Sequence, residues 1–422
     1  MREDFIHYLW KFKKLSGKKL FTTTGKSITI KSLGIHNFHS GPDFFNGRLT
    51  IDEQEWAGNI EMHLKSSDWF LHGHDDDPAY DNVILHVVWT HDAEISTRDG
   101  LYIPVLEVSQ YVDSELLQSY QKLFAVKQDQ FINCEKSISS IDAFLVDQWK
   151  EKLFIERLEH KSSRIVDILK MNLGDWEATF FQLLARSFGT KINADAFEQT
   201  ARSMDQATVR KLAKDAFQLE AAMLGQAGLL EDAKNDDYFK SCVKEFAFAK
   251  AKFNLQPADT KMKFFRIRPV NYPTIRLSQL ARLYHFTPLL FGEIILANSK
   301  QAIYDLFDIE ASQYWDSHHV FDKETDHRKK KLSQGFIDLL IINCIIPIKF
   351  AHAQYLGKDN FEELLAIMNS LMPEKNTIVA GFKKLIKLDT AADSQAVLQL
   401  KPNYCDVNKC LSCDIGVGLL RS

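Results

Sequence analysis

Residues 41–91 read GPDFFNGRLTIDEQEWAGNIEMHLKSSDWFLHGHDDDPAYDNVILHVVWTH. Two runs, NGRLTID from Asn46 and WAGNIEMHLK from Trp56, flank a polar loop at Asp52-Glu53-Gln54-Glu55, the pattern of a β-hairpin. Alternate side chains of a strand share a face. Glu61, His63 and Lys65 therefore project to one side, and Ile60, Met62 and Leu64 to the other. Asp43 arrives on the neighbouring strand after the Gly41-Pro42 turn. One surface then gathers two carboxylates, an imidazole and an amine, the outline of a divalent-metal hydrolytic site.

Outward from this stretch, the texture from Leu20 to Val108 stays the same. Short Thr-, Ile- and Val-rich runs (LFTTTG, SITIKSLG, VILHVVW, YIPVLEV) alternate with Gly, Asn and Asp turns and read as strands. Ahead of them, Phe5, Ile6, Leu9, Trp10 and Phe12 recur at helical spacing over residues 2–15. Beyond them the chain reads as helix after helix, beginning with Asp142–Lys170, where apolar residues fall three and four apart. The expected fold class is α+β / α/β. A mixed β-sheet domain with flanking helices spans 1–125, and a large all-α domain, 126–422, ends in a cysteine cluster.

The chain has 422 residues, enough for two or three domains. Its 45% apolar and 26% charged residues are ordinary for a globular protein, and its 30 phenylalanines point to well-filled cores. The net charge of −4 excludes a global pull toward nucleic acid, so such binding must come from local basic patches. No segment approaches the ~20 apolar residues that span a bilayer, so no membrane partner is expected. The stretch MREDFIHYLWKF carries acids early, unlike a signal peptide. Six cysteines, three of them scattered singly, argue for a reducing cytoplasm over a disulfide framework.

A helix followed by a sheet whose strands carry Asp43 and then Glu61-x-x-x-Lys65 resembles the PD-(D/E)XK phosphodiesterase superfamily. The resemblance implies that Asp43 and Glu61 hold Mg²⁺ or Mn²⁺, which polarises a phosphodiester and lowers the pKa of an attacking water. It implies a lysine that steadies the nucleophile. The position two after Glu61 is His63, a departure from the family's pattern. Lys65 is one pleat further along the same face, and His63 is itself a candidate base or ligand. Glu3 or Asp4 would match the acid that some members place on the first helix.

Seven of the 14 histidines fall between His36 and His91. His63, His72 and His74 form an alternative zinc or manganese set. His86, inside an apolar strand, reads as a hydrogen-bonded core residue, and Asp75–Asp77 as a solvated loop or a helix start before Pro78. At the other end, Cys405, Cys410 and Cys413 (C-x4-C-x2-C) offer three thiolates to zinc or an iron–sulfur cluster. Cys134, Cys242, Cys344 and His352 are candidates for a fourth ligand. Arg266, Arg268 and Arg276, in an extended segment broken by Pro269 and Pro273, suit phosphate or single-strand contact. Ion pairing within the helical domain is the competing reading.

Taken together, GPDF at Asp43, GNIEMHLKSSDW at Gly58–Trp69, HGH at His72–His74, YDNVILHVVW at Tyr80–Trp89, RPVNYPTIRLSQLA at Arg268–Ala281 and CLSCDIG at Cys410–Gly416 resemble an uncharacterised bacterial family, a domain of unknown function seen mainly in Bacteroidetes. The resemblance implies a bacterial cytoplasmic protein of one architecture and no particular activity. The functional expectation is a metal-dependent nuclease, with Lys65 and His63 catalytic. The alternative is a non-catalytic binding or scaffold protein with a nuclease-like sheet and a structural metal at its tail.

Overall fold

The computed structural model describes residues 1–15, 19–37, 39–125 and 130–421. The chain divides into two units, 1–149 with 401–422 and 150–400. The division falls at 149/150, not near 125, and the tail belongs to the first unit with the sheet.

The first unit opens on α1 (Glu3–Lys11), with Glu3 and Asp4 in its first turn and Lys11 in its last, as the helix dipole favours. A sheet of seven strands follows: β1 (Leu20–Phe21), β2 (Ser27–Ser32), β3 (Ile35–His36), β4 (Phe44–Ile51), β5 (Gln54–Lys65), β6 (Val83–Thr90) and β7 (Val105–Glu107). The order is β1-β2-β4-β5-β6-β7, with β3 beside β4. It is a mixed sheet. The pairs up to β4–β5 are antiparallel, and β5–β6 and β6–β7 are parallel.

The β4–β5 hairpin is tighter than expected. Gln54 and Glu55 already pair with Ile51 and Thr50, so only Asp52-Glu53 turn the chain, with Asp52 left-handed at φ 46°. The parallel step from β5 to β6 needs a crossover. It contains α2 (Asp68–Leu71) and a short turn of 3-10 helix, Pro78–Tyr80, capped by the Asp77 side chain. A third helix, α3 (Ser114–Phe124), follows the sheet.

The alternation read from β5 sorts the two faces. Ile60 and Met62 are fully buried in one apolar core with Phe5, Leu9 and Trp10 of α1. The tail reaches this core through Cys410, Leu411, Val417 and Leu420. A smaller cluster, centred on Trp69 of α2 with Tyr80, Val88 and Val105, forms separately.

The second unit is helical apart from one two-stranded ribbon, His318–Val320 with Lys323–Glu324. Asp175, Asp205, Asp236, Ser299, Ser333 and Asn376 cap helix starts by accepting backbone N–H bonds. Phe180, Phe181, Phe188 and Phe197 are essentially fully buried, which is where the phenylalanine excess goes.

One expectation fails here. Residues Gln334–Tyr355 form a continuous helical stretch of 22 residues, apolar and long enough to cross a bilayer by composition alone. Of its most apolar window 78% is buried inside the protein, as in a core helix. Pro347 near its middle cannot donate to the helix ladder, and the widened turn Ile341–Ile345 just before it absorbs the defect. Lys349, 2% exposed, turns its ammonium to the carbonyls of Ile294, Ile295 and Ala297 at the end of another helix.

Candidate metal centre

Two glycines let β4 and β5 bring their acids together. Gly41 has φ +96°, a conformation other residues rarely adopt, and it turns the chain into Pro42 and Asp43. At Gly58 a Cβ would lie 2.6 Å from the Asn82 carbonyl and 2.5 Å from Ile84, so only glycine lets β5 close on β6.

Asp43 and Glu61 then lock crosswise. The Asp43 N–H donates to Glu61 Oε2 (3.1 Å), and the Met62 N–H donates to Asp43 Oδ2 (3.0 Å). Glu61 is 5% exposed, and its other oxygen, Oε1, lies 3.4 Å from His74 Nε2 and 3.6 Å from His63 Nε2. On the Asp43 side, His7 Nε2 of α1 sits 3.2 Å from Asp43 Oδ2, close but not aligned for a hydrogen bond. Glu3, one helical turn before His7, completes the group.

Two sets of donor atoms therefore flank Glu61. Glu3, His7 and Asp43 place their ligand atoms within 4.8 Å of one another, and so do His63, His72 and His74. The first set is half-buried. In the second, His63 and His74 are buried and His72 is exposed. His63 Nε2 stands 3.0 Å from His72 Nδ1, a separation that also suits two nitrogens on one ion. Its Nδ1 is 2.8 Å from Nε2 of the fully buried His86. With Nδ1–H donating to His86, His63 Nε2 carries the lone pair that a ligand needs. Tyr80 stacks on His74 at 3.7 Å and Trp69 packs edge-on to it at 5.4 Å, which fixes that ring.

The electrostatics follow from crowding like charges in a dry place. Burial, then the charge of Asp43, pushes the Glu61 carboxyl up to about 9. Burial and Asp43 also raise Glu3. Burial, then His72 and His74, lowers His63 to about 4, and burial lowers His74 and, strongly, His86. His7 goes the other way: burial lowers it, but Asp43, Glu3 and Glu61 outweigh that and raise it. Three carboxyls beside imidazoles held neutral is an arrangement that a divalent cation would relieve.

The family model for proteins of unknown function (DUF2851) matches residues 3–377. The chain belongs to that family. No curated protein and no solved structure matches it. The matched span of this DUF2851 member takes in Glu3 through His86 and Cys134, and ends before the three cysteines of the tail.

Of the residues singled out in the sequence, the structure brings Asp43, Glu61 and His63 together, and it also gathers His63, His72 and His74, the alternative set. Glu3, not Asp4, is the helix acid that faces Asp43: Asp4 pairs with Arg2 at 3.2 Å. Lys65 is exposed at the end of β5, with its N–H bonded to Asp68. His7 was missed, although it follows Glu3 by four residues and so shares its helix face. His36 packs edge-on to His7, while His91 bonds to Ser66.

The arginines separate. Arg266 and Arg268 are exposed. Arg276 is 4% exposed, bonds to Gln279 and Asn271, and lies over the Phe336 ring at 3.6 Å. Its guanidinium serves the interior of the helical unit and is not presented to a phosphate. Cys405, Cys410 and Cys413 meet Cys134 around a small cavity in the first unit. Cys242 and Cys344 are buried in the core of the second, and His352 packs there against Trp176.

Proposed function

We propose that the protein is a metal-dependent phosphodiesterase acting on nucleic acid. The observation that carries this reading is the buried Glu61 carboxyl, set between Asp43 on one side and His63 and His74 on the other. The order of elements supports the phosphodiesterase class. A helix bearing an acid precedes antiparallel strands, with one acid entering β4 and the next on β5, and a parallel strand follows.

A bound Mg²⁺ or Mn²⁺ would polarise the phosphodiester and supply hydroxide near neutral pH. Asp43, Glu61 and Glu3 are the oxygen donors that suit such ions, and His7 adds a nitrogen. His63 and His74, kept neutral by burial, would hold a second ion or serve as the base toward an attacking water. Lys65, exposed on the same strand, is free to meet substrate phosphate.

The test is Mn²⁺-dependent cleavage of single- and double-stranded DNA and RNA. The native chain should cut at least one of them, and Asp43→Ala, Glu61→Gln and His63→Ala should each lose roughly 100-fold or more. Cleavage unchanged in Glu61→Gln would remove the site. Tight Mn²⁺ binding without cleavage of any of the four would leave a metal centre and refute the nuclease reading.

A further inference from the structure

Cys134 lies in the segment between α3 and the long helix Ala143–Met171, some 270 residues before the others in sequence. The fold nevertheless brings it to Cys405, Cys410 and Cys413, and the four line one cavity of about 20 Å³ with Leu123 and Tyr404. Cys405 is within electrostatic reach of the other three, since after burial they are what raise its thiol. The three scattered cysteines of the sequence thus differ: two stay in the core of the helical unit, and one completes a set of four.

We propose that Cys134, Cys405, Cys410 and Cys413 bind an iron–sulfur cluster. Several features of the surroundings fit a thiolate set. Burial raises all four thiols, and against it the Asn133 side-chain amide donates to Cys410 Sγ at 3.6 Å while the N–H groups of Ile415 and Gly416 counter the rise at Cys413. Such N–H···S bonds stabilise anionic sulfur. Gly416 is forced by the same construction, because a Cβ there would lie 2.1 Å from the Cys410 carbonyl.

A cluster fits better than one ion. Zinc draws its four sulfurs to about 2.3 Å from one point. Among the described residues, the donor sets that all fall within 4.8 Å of one another are the imidazole and carboxylate sets of the metal centre. The C-x4-C-x2-C run with a fourth cysteine elsewhere in the chain is also a spacing that clusters use. Ligation is acid–base exchange. Each thiol gives its proton to solvent as its sulfur bonds one iron of a preformed iron–sulfide core, so no oxidant is required.

The cluster would hold the tail to the sheet. Cys410 shares the apolar core of α1, and the Arg2 guanidinium at the start of that helix donates to the Asn408 carbonyl at 3.0 Å. This inference does not depend on the nuclease reading and is tested without any activity.

The full-length chain, purified without oxygen and reconstituted with ferric iron, sulfide and excess thiol as reductant, should carry iron and acid-labile sulfide in equal amounts and show a visible sulfur-to-iron charge-transfer band. Cys134→Ser should lose most of that iron, and Cys242→Ser, a buried cysteine outside the set, should keep it. Because Cys134→Ser risks misfolding, circular dichroism accompanies it, and the native chain alone already decides the main point. Stoichiometric zinc with no iron overturns the cluster, as does the absence of both metals. Full iron in folded Cys134→Ser overturns the fourth ligand.

Discussion

Replacing Glu61 by Gln should make the metal-free protein more stable, and the gain should depend on pH. Burial and Asp43 hold the folded carboxyl at about 9, against an ordinary value of 4.5. Between those two values the folded state keeps a proton that the unfolded chain has released. The sign follows: the folded state's advantage is full below about 4.5 and is lost progressively as pH rises toward 9. At pH 7 the loss amounts to about 3 kcal/mol. Glutamine, always neutral, avoids it while its carbonyl still accepts the Asp43 N–H. The assay is chemical denaturation of chelator-treated protein, followed by tryptophan fluorescence from pH 5 to pH 8. The variant should exceed the native chain by about 3 kcal/mol at pH 7, and the two should converge near pH 5. Added Mn²⁺ should stabilise the native chain and leave the variant little changed. Equal stability at pH 7, or a difference that ignores pH, would refute the picture of a carboxyl placed where it is costly in order to hold a cation.

Gly58→Ala should cost about 1–3 kcal/mol, because its methyl meets the backbone carbonyl of Asn82, which cannot swing aside; an unchanged urea midpoint would contradict the close β5–β6 approach. Glu220→Ala should destabilise the helical unit by roughly 3 kcal/mol or more. The buried carboxyl accepts from Trp315 (2.6 Å), Tyr238 (2.8 Å), Ser278 (2.8 Å) and Ser312 (3.1 Å), and the substitution removes that acceptor from all four, leaving Tyr238 and Ser312, 3.1 Å apart, only each other. A shift under about 1 kcal/mol in thermal denaturation would mean that water replaces it.

The sheet was legible because a strand writes its faces into a period of two, and β5 carried that period without a break from Ile60 to Lys65. The helical unit was legible for the same kind of reason. What the sequence hid were contacts between elements distant in the chain. Glu3 and His7 form a pair on a helix face, but only the packing of α1 brings them to Asp43. His74 was marked in the sequence by the His72-Gly73-His74 run, but its approach to Glu61 and its pinning by Tyr80 and Trp69 come only from the crossover's fold. Cys134 has no neighbouring cysteine in sequence and could not be told from Cys242 or Cys344. Arg276 shows the opposite error. Its surroundings look like an exposed basic segment, yet the residue sits three past Pro273 on the inward face of the helix Pro273–Phe286 and is buried. The core helix Gln334–Tyr355 was underrated because the polar and charged residues along it mask how apolar its window is on average.

The first unit holds two donor sets of opposite character. Carboxylates and imidazoles surround Glu61, while four cysteines, with Asn133, Tyr404 and apolar side chains, line the cavity at Cys134. Hard divalent ions prefer oxygen and iron–sulfide cores prefer thiolate, so each set discriminates by chemistry against what the other binds. Geometry reinforces the division. The Asp43 set is half-buried throughout, whereas of the four cysteines Cys410 and Cys413 are buried and Cys134 and Cys405 half-buried. The two sets are also joined through one element. Glu3 and His7 extend from α1 toward Asp43, and Phe5 and Leu9 of the same helix enter the core that Cys410 and Leu411 complete. A helix of nine residues is marginal by itself in water. Its register, and with it the position of two candidate ligands, is therefore set by the packing around it, part of which comes from a tail roughly four hundred residues away in sequence.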